Sequence, residues 1–291
     1  MIQCTVEKFY TPKRYLLNGI WFGSKPAKIG FIFIHGLSAS IFSHQDVLTP
    51  ILDQSTMAFY FNNRGHDIVS RISKQDTSET GYISELAGAA HEVFTDSSDD
   101  IAGAVNLLLS HHVTNIYLVG HSTGCQKAIY YLSLNDNQQL IKGVILICPM
   151  SDYAFNLSVE SLTQLNKATK YAESLVRQDK PHQLLPLEIS ETMLDAQRYL
   201  SLYSANSEEE IFSYSQAHKI PTTYQKIKIP QLIILAENDD YADRPIDELQ
   251  QWFRNESHSK KLTISILKGS PHNLLGCEAT LTSVIKTWAG L

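Results

Sequence analysis

Ile116-Tyr117-Leu118-Val119-Gly120-His121-Ser122-Thr123-Gly124-Cys125-Gln126-Lys127-Ala128 is the stretch whose reading decides the fold. Its apolar, β-prone start delivers the chain into Gly-His-Ser-Thr-Gly, and apolar residues then recur at helical spacing at Ala128, Ile129 and Leu132. A G-x-S-x-G pentapeptide between a strand and a helix reads as a nucleophile elbow: a turn so tight that its serine takes a strained backbone conformation and presents its hydroxyl at the sheet edge. Glycines on either side let the strand and helix backbones pass without a Cβ collision. The bare pattern also occurs as a loop serine between chance glycines, and the strand and helix around it argue against that reading.

Outward from the elbow, residues 29–34 and 57–61 are almost continuous apolar runs, as are 143–148 and 231–236. Such runs mark strands buried on both faces by helices. Helical periodicity separates them at 46–52, at 101–109 behind Asp96-Ser97-Ser98-Asp99, which supplies capping chemistry for that helix, at 245–253 and from about 280. The alternation predicts an α/β chain with a doubly wound, mostly parallel sheet, preceded by two antiparallel strands at 4–9 and 15–21. Residues 67–90 are polar and glycine-bearing and read as a long irregular loop. Between 150 and 228 helical spacing returns without a strand-like run, so an inserted helical lid is expected there, with a core of 1–149 and 229–291. Apolar and aromatic side chains of that insertion alternate with charges that include Glu160, Lys167, Arg177, Glu208, Glu209 and Glu210, a pattern without an extended apolar surface.

The 291 residues carry 24 Lys and Arg against 30 Asp and Glu, a formal charge of −6, with the basic residues scattered. That balance gives no footprint for nucleic acid. No basic segment followed by an apolar stretch opens the chain and no run is long enough to span a bilayer, so a cytoplasmic protein with no membrane partner is the expectation. Cys4, Cys125, Cys148 and Cys277 lack C-x-x-C spacing and read as reduced packing residues; neither metal nor cofactor is expected.

The order of elements, together with His35-Gly36, Gly120-His121-Ser122-Thr123-Gly124, Asp239 and His272, resembles the α/β-hydrolase superfamily over essentially the whole chain. More narrowly, Pro186-Leu187-Glu188-Ile189-Ser190, Arg198-Tyr199-Leu200-Ser201-Leu202, Ile211-Phe212-Ser213 and Asp239-Asp240-Tyr241 are similar to a poorly characterised family that includes fungal siderophore esterases. Cys125 and Ala242-Asp243 depart from that family's pattern. The resemblance implies ester hydrolysis without a cofactor. It also implies an oxyanion hole formed by the backbone N–H groups of Leu37 and Thr123, and a structural role for Arg64 in Asn63-Arg64-Gly65-His66.

A serine hydroxyl needs an imidazole to take its proton, and the imidazole needs a carboxylate to fix its tautomer. His272 lies in a turn-rich loop after the last predicted strand, 262–267, and Asp239 follows the strand at 231–236 by a short turn. The order Ser122, Asp239, His272 is the α/β-hydrolase order. Asp240 and Asp243 are near enough to compete, and Asp152 would serve if the acid followed the preceding strand. His121 is assigned to packing behind the elbow. The expected reaction is hydrolysis of a soluble small-molecule carboxylic ester through an acyl-enzyme. Carbon–carbon bond hydrolysis or acyl transfer on the same triad, and a non-enzymatic ligand-binding module, are the alternatives.

Overall fold

The computed structural model describes residues 3–24, 27–134 and 136–291. Residues 1, 2, 25, 26 and 135, which the expected core of 1–149 includes, lie outside the described residues. The strands are β1 (Cys4–Tyr10), β2 (Tyr15–Phe22), β3 (Ile29–Ile34), β4 (Thr56–Phe61), β5 (Ser70–Gln75), β6 (Tyr82–Ala87), β7 (Asn115–His121), β8 (Ile141–Ile147), β9 (Gln231–Asn238) and β10 (Leu262–Pro271). They form one sheet in the order β10-β9-β8-β7-β3-β4-β2-β5-β6, with β1 paired to β2. From β4 through β3, β7, β8 and β9 to β10 every pairing is parallel. The pairings of β2 with β1, β4 and β5, and of β5 with β6, are antiparallel.

The continuous apolar runs behave as their composition requires. Successive residues of β3 alternate between two buried clusters, Ile32 and Ile34 on one face and Phe31 and Phe33 on the other. Helix α1 (Gln45–Leu48) and the C-terminal α9 (Glu278–Ala289) cover the second face through Val47, Leu48, Leu281 and Ile285. Helices α2 (Ser97–Ser110), α3 (Thr123–Ser133) and α8 (Ile246–Glu256) cover the first through Ile101, Val105, Leu108, Ile129, Leu132 and Phe253. Helices on both faces of a largely parallel sheet make this the doubly wound architecture read from the sequence.

Two local readings differ from expectation. Residues 67–90 are not irregular throughout, because β5 and β6 form a hairpin that extends the sheet. Its strands bury only Ile72 and Ala87: β5 is polar at every position but Ile72, and Tyr82, Ile83 and Leu86 of β6 are exposed, so neither strand has the continuous or alternating apolar signature of a buried one. Asp96 precedes α2 but makes no side-chain cap. Its carboxylate is drawn instead to Lys13 Nζ at 2.8 Å and towards Arg64. Arg64 lies over the Tyr15 ring, 4.1 Å from its centroid, and donates to Asp100 at 2.7 Å and Asp99 at 3.0 Å, which ties the turn after β4 to α2.

Between β8 and β9 lie α4 (Asp152–Val159), α5 (Leu162–Arg177), α6 (Ala196–Tyr203) and α7 (Thr222–Gln225). The first three start on side-chain caps: Ser151 accepts from Ala154 N, Ser161 from Gln164 N and Asp195 from Arg198 N, each worth about 1 kcal/mol. Helices α5 and α6 pack on a small core of their own, Ala168, Ala172, Leu175, Leu185, Leu194, Ala196, Tyr199 and Leu202, against which Leu37 also rests. Farther along, Ile211, Phe212, Tyr214, Tyr224 and Ile227 belong to the main core.

A buried charge network joins this insertion to the elbow helix. Lys127 of α3 pairs with Glu92 at 2.6 Å, Glu92 pairs with Arg198 of α6 at 3.0 Å, and Arg198 pairs with Glu209. Lys127 and Arg198 are fully buried and Glu92 and Glu209 nearly so, the last being one of the charges that the sequence pattern alone would leave in water. Burial raises the cost of ionising Glu92, but Lys127 and Arg198 outweigh it and hold the carboxyl below its ordinary value. Two cations thus face two anions. Removing one partner from such a set strands a buried charge and costs about 3–5 kcal/mol. Asp152 accepts from Gln126 Nε2 at 2.9 Å beside this network, and burial together with Glu209 pushes its pKa up to about 8. Burial likewise raises Glu210 to about 7, where Ser151 Oγ donates to it.

A carboxyl that is protonated in the fold but ionised in the unfolded chain lowers stability as pH rises, because the native state then binds more protons than the unfolded one. For Asp152 the window runs from the ordinary carboxylate range near ~4 up to about 8. The thermal midpoint of the wild type is therefore expected to fall as pH is raised from 5 to 8, and Asp152→Asn to fall less steeply, with Glu210 and Asp100, the latter also raised by burial to about 7, accounting for the slope that remains. Parallel slopes for the two proteins in calorimetry would contradict a neutral buried Asp152.

Candidate active site

The elbow is built as its sequence requires. β7 lies between β3 and β8, and it ends at His121 opposite Ile147. Ser122 follows with φ 54° and ψ −128°, a region that costs a non-glycine residue about 1–3 kcal/mol. Its N–H donates to Ile147 O at 3.0 Å and its C=O accepts from Cys125 N at 2.9 Å, so both backbone groups are held in that conformation. Gly124 has no room for a side chain, since a Cβ there would stand 2.1 Å from Ile34 O. Helix α3 therefore passes directly across the end of β3. Gly36, just beyond that end, faces the serine so closely that its Cβ would come within 3.0 Å of Ser122 Cβ.

The loop after β3 and the first turn of α3 thus meet at Ser122. Thr123 opens α3, where the first N–H groups of a helix have no intrahelical acceptor. Neither the Thr123 nor the Leu37 N–H donates to another group among the described residues. Two unengaged backbone donors therefore flank the serine.

His272 follows β10 and Asp239 follows the adjacent β9, which brings them together at the same end of the sheet. His272 Nδ1 lies 2.8 Å from Asp239 Oδ1 and 2.9 Å from Oδ2. Asp239 Oδ1 also accepts from Tyr241 N at 2.9 Å. The ring of Tyr241 lies 4.6 Å from that of His272, and His121 lies on it as well at 5.1 Å, with His121 Nε2 donating to His272 O at 2.9 Å. His121 also contacts His44 at 4.4 Å. Burial, with the nearby His44 and His272, keeps the His121 pKa well below its ordinary value, so it is neutral and buttresses His272 from behind.

The other candidate acids lie elsewhere. Asp152 is held by Gln126 in the buried network, Asp243 pairs with Arg244, and Asp240 is exposed. The Ser122 hydroxyl is directed at Met150 Sδ, 3.7 Å away, and makes no hydrogen bond to His272 in this conformation. Bonds of that kind are often open in substrate-free enzymes and close in the Michaelis complex.

Three neighbours of the site are not evident from the sequence: Tyr241, Met150 and Cys148. The thiol of Cys148 lies within 4.8 Å of the facing atoms of Asp239 and His272. Burial raises its pKa well above the ordinary value, with Asp239 adding to the shift, so the sulfur is a neutral thiol against the carboxylate. Its place immediately after β8, at the strand end that borders the elbow, was the available signal.

The structure is similar to solved α/β hydrolases. With the siderophore hydrolase EstB from Aspergillus fumigatus it shares 17% identity at a TM-score of 0.69, covering 94% of each chain. With an esterase from Pyrococcus furiosus the values are 16% and 0.61, covering 99% of this chain and 91% of the other. With a monoacylglycerol lipase from Paleococcus ferrophilus they are 16% and 0.60, covering 99% of both. At such identities the likeness is one of fold. A comparison with curated protein sequences finds no match. The family described as "Protein of unknown function (DUF1749)" matches residues 81–287, well over half of the chain, and the protein belongs to that family, built on the α/β-hydrolase fold.

Proposed function

We propose that this protein is a serine hydrolase that cleaves a soluble small-molecule carboxylic ester through an acyl-enzyme, with Ser122 as nucleophile, His272 as general base and acid, and Asp239 as the orienting carboxylate. The observation that carries the reading is the convergence, at one sheet edge, of a serine in elbow geometry with an imidazole whose Nδ1 is held by a carboxylate. Rotation about the Ser122 Cα–Cβ bond turns its hydroxyl from Met150 towards His272 Nε2. His272 then takes the hydroxyl proton as Oγ attacks the ester carbonyl, while Asp239 fixes the Nδ1–H tautomer and offsets the charge gained. The N–H groups of Leu37 and Thr123 receive the developing oxyanion, each such donor contributing roughly 10²–10³ in rate. His272 returns the proton to the departing alcohol, and water cleaves the acyl-enzyme by the same steps.

The insertion at 150–228 acts in this reading as the lid. Phe155 of α4 lies 4.9 Å from Tyr241, which itself covers His272. Phe155 also borders a cavity of about 380 Å³ within the insertion, whose walls mix Leu165, Tyr199 and Tyr203 with Glu160, Gln164 and Glu191. Ser122, Asp239 and His272 do not line that cavity; the mixed-polarity substrate of this reading rests on the charges interleaved with apolar residues along the insertion. No helix among the described residues is long and apolar enough to cross a membrane.

A fluorophosphonate probe is expected to label the wild type at Ser122 and to leave Ser122→Ala unlabelled, with hydrolysis of p-nitrophenyl acetate lost in the variant and its circular dichroism unchanged. Wild-type protein that resists the probe would make the chain a binding module. Asp239→Asn is expected to lower kcat by about 10⁴, as when a triad imidazole loses its correct tautomer, while Asp152→Asn keeps most activity; the reverse ranking would move the acid to the loop after β8. Across a series of p-nitrophenyl esters, short and medium acyl groups should give the highest kcat/KM. Interfacial activation on triglyceride emulsions would overturn the reading of the lid.

A further inference from the structure

Away from the elbow, the seam between the core and the insertion holds a second set of convergent groups. His91 follows β6 on the core side, whereas His182 and Asp195 belong to the segment between α5 and α6. His91 Nδ1 lies 3.0 Å and His182 Nδ1 2.9 Å from the same oxygen, Asp195 Oδ2. The other carboxylate oxygen is already used, accepting from Arg198 N at 2.8 Å and Gln197 Nε2 at 3.0 Å. Backbone bonds fix the group further, because Asp195 N donates to Ala90 O and Ala196 N to Gln183 O.

Asp195 is fully buried. Among the described residues no Lys or Arg forms an ion pair with it; the nearby Arg198 guanidinium is committed to Glu92 and Glu209. A buried carboxylate is costly without a compensating charge; the N-terminus of α6, which Asp195 caps, offsets part of it, and the two imidazoles are the ionisable side chains placed to offset the rest.

We propose that His91, His182 and Asp195 form a binding site for a divalent transition-metal ion of the zinc type. Two imidazole nitrogens and one carboxylate oxygen are a donor set that suits such ions and not Ca²⁺ or Mg²⁺. Their three facing atoms lie within 4.8 Å of one another. Ligands bound at about 2.0–2.2 Å to one tetrahedral ion stand roughly 3.3–3.6 Å apart, so a shift of about half an ångström in side-chain position from the 3.0 and 2.9 Å that separate Asp195 Oδ2 from the imidazoles would admit it. Each histidine would carry its proton on Nε2 and offer the Nδ1 lone pair. Both line a cavity of about 330 Å³, bounded also by Tyr15, Arg64, Glu85 and Asp96, which leaves space for water or a small ligand to complete the coordination. The ion would supply the charge that Asp195 lacks and tie the insertion to the core. The site shares no residue with Ser122, Asp239 or His272, and the proposal does not depend on their chemistry.

The test uses the 291-residue chain, stripped with EDTA and dialysed. Titration with ZnCl₂ in a calorimeter is expected to show saturable uptake of a single equivalent, and CoCl₂ to give ligand-field absorption that zinc abolishes. Zinc should also raise the thermal midpoint. His182→Ala, at a side chain 58% exposed, should keep its circular dichroism while losing the uptake, the absorption and the thermal shift. His91→Gln should behave alike. Absence of saturable uptake by the wild type would overturn the proposal and leave the imidazoles as hydrogen-bond partners of Asp195. Uptake that persists in both variants would overturn it as well, by placing the ion elsewhere.

Discussion

How closely α3 passes β3 is the constraint on which the C-terminal edge of the sheet depends. With Gly124 against Ile34 O, the chain reverses from strand to helix through a single residue, and that residue must take a positive φ. The strain at Ser122 is held by the bonds to Ile147 and Cys125, from the strand on one side and the helix on the other. The same close passage aims the start of α3 at the loop after β3. The unengaged donors at Leu37 and Thr123 are therefore consequences of the backbone path, not separate features.

Helix α3 also sets where the insertion can sit. Gln126 and Lys127, only a few residues past the serine, are buried, and each needs a polar partner. Lys127 finds Glu92, which in turn holds Arg198 of α6, while Gln126 holds Asp152 at the start of α4. Replacing such a network with apolar groups of similar volume is often neutral or stabilising, so its presence is weak evidence for added stability. What it does supply is discrimination. Arg198 is left unpaired in any register of the insertion other than the one that faces Glu92 and Glu209, and an unpaired buried charge costs several kcal/mol.

The legibility of these features in the sequence followed from how local their causes were. Ser122, the parallel strands and the placement of Asp239 and His272 after strand ends were readable because each depends on a short apolar run and the turn that ends it. The β5–β6 hairpin was not, because this edge hairpin buries only Ile72 and Ala87 and leaves even Tyr82, Ile83 and Leu86 exposed. Asp96 had the right position for a cap, but Lys13 and Arg64, distant in sequence, offered its carboxylate stronger partners. Glu209 read as one of the charges interleaved along the insertion, and nothing in the sequence marked Glu92 and Arg198 as parts of its buried network, because each is paired only across the tertiary fold. His91, His182 and Asp195 show no metal-ligand spacing for the same reason: their approach is a property of the seam and not of any single segment.

The difference in how firmly the parts of the proposed triad are held bears on how it would work. His272 is fixed on every side, by Asp239 at Nδ1, by the rings of Tyr241 and His121, and by His121 at its backbone carbonyl. Asp239 is fixed in turn by Tyr241 N. The Ser122 backbone is equally constrained, yet its hydroxyl has only the weak contact with Met150 sulfur at 3.7 Å. In the proposed reaction, reorganisation on substrate binding would then be confined to one side-chain torsion of Ser122, with His272, Asp239 and the backbone N–H groups of Leu37 and Thr123 held beforehand. A site whose dipoles are fixed before reaction does not have to reorient them as charge develops. On that argument the neutral thiol of Cys148 and the neutral ring of His121 are well suited to their positions, since each fills space beside the imidazole without adding a charge that would compete with Asp239.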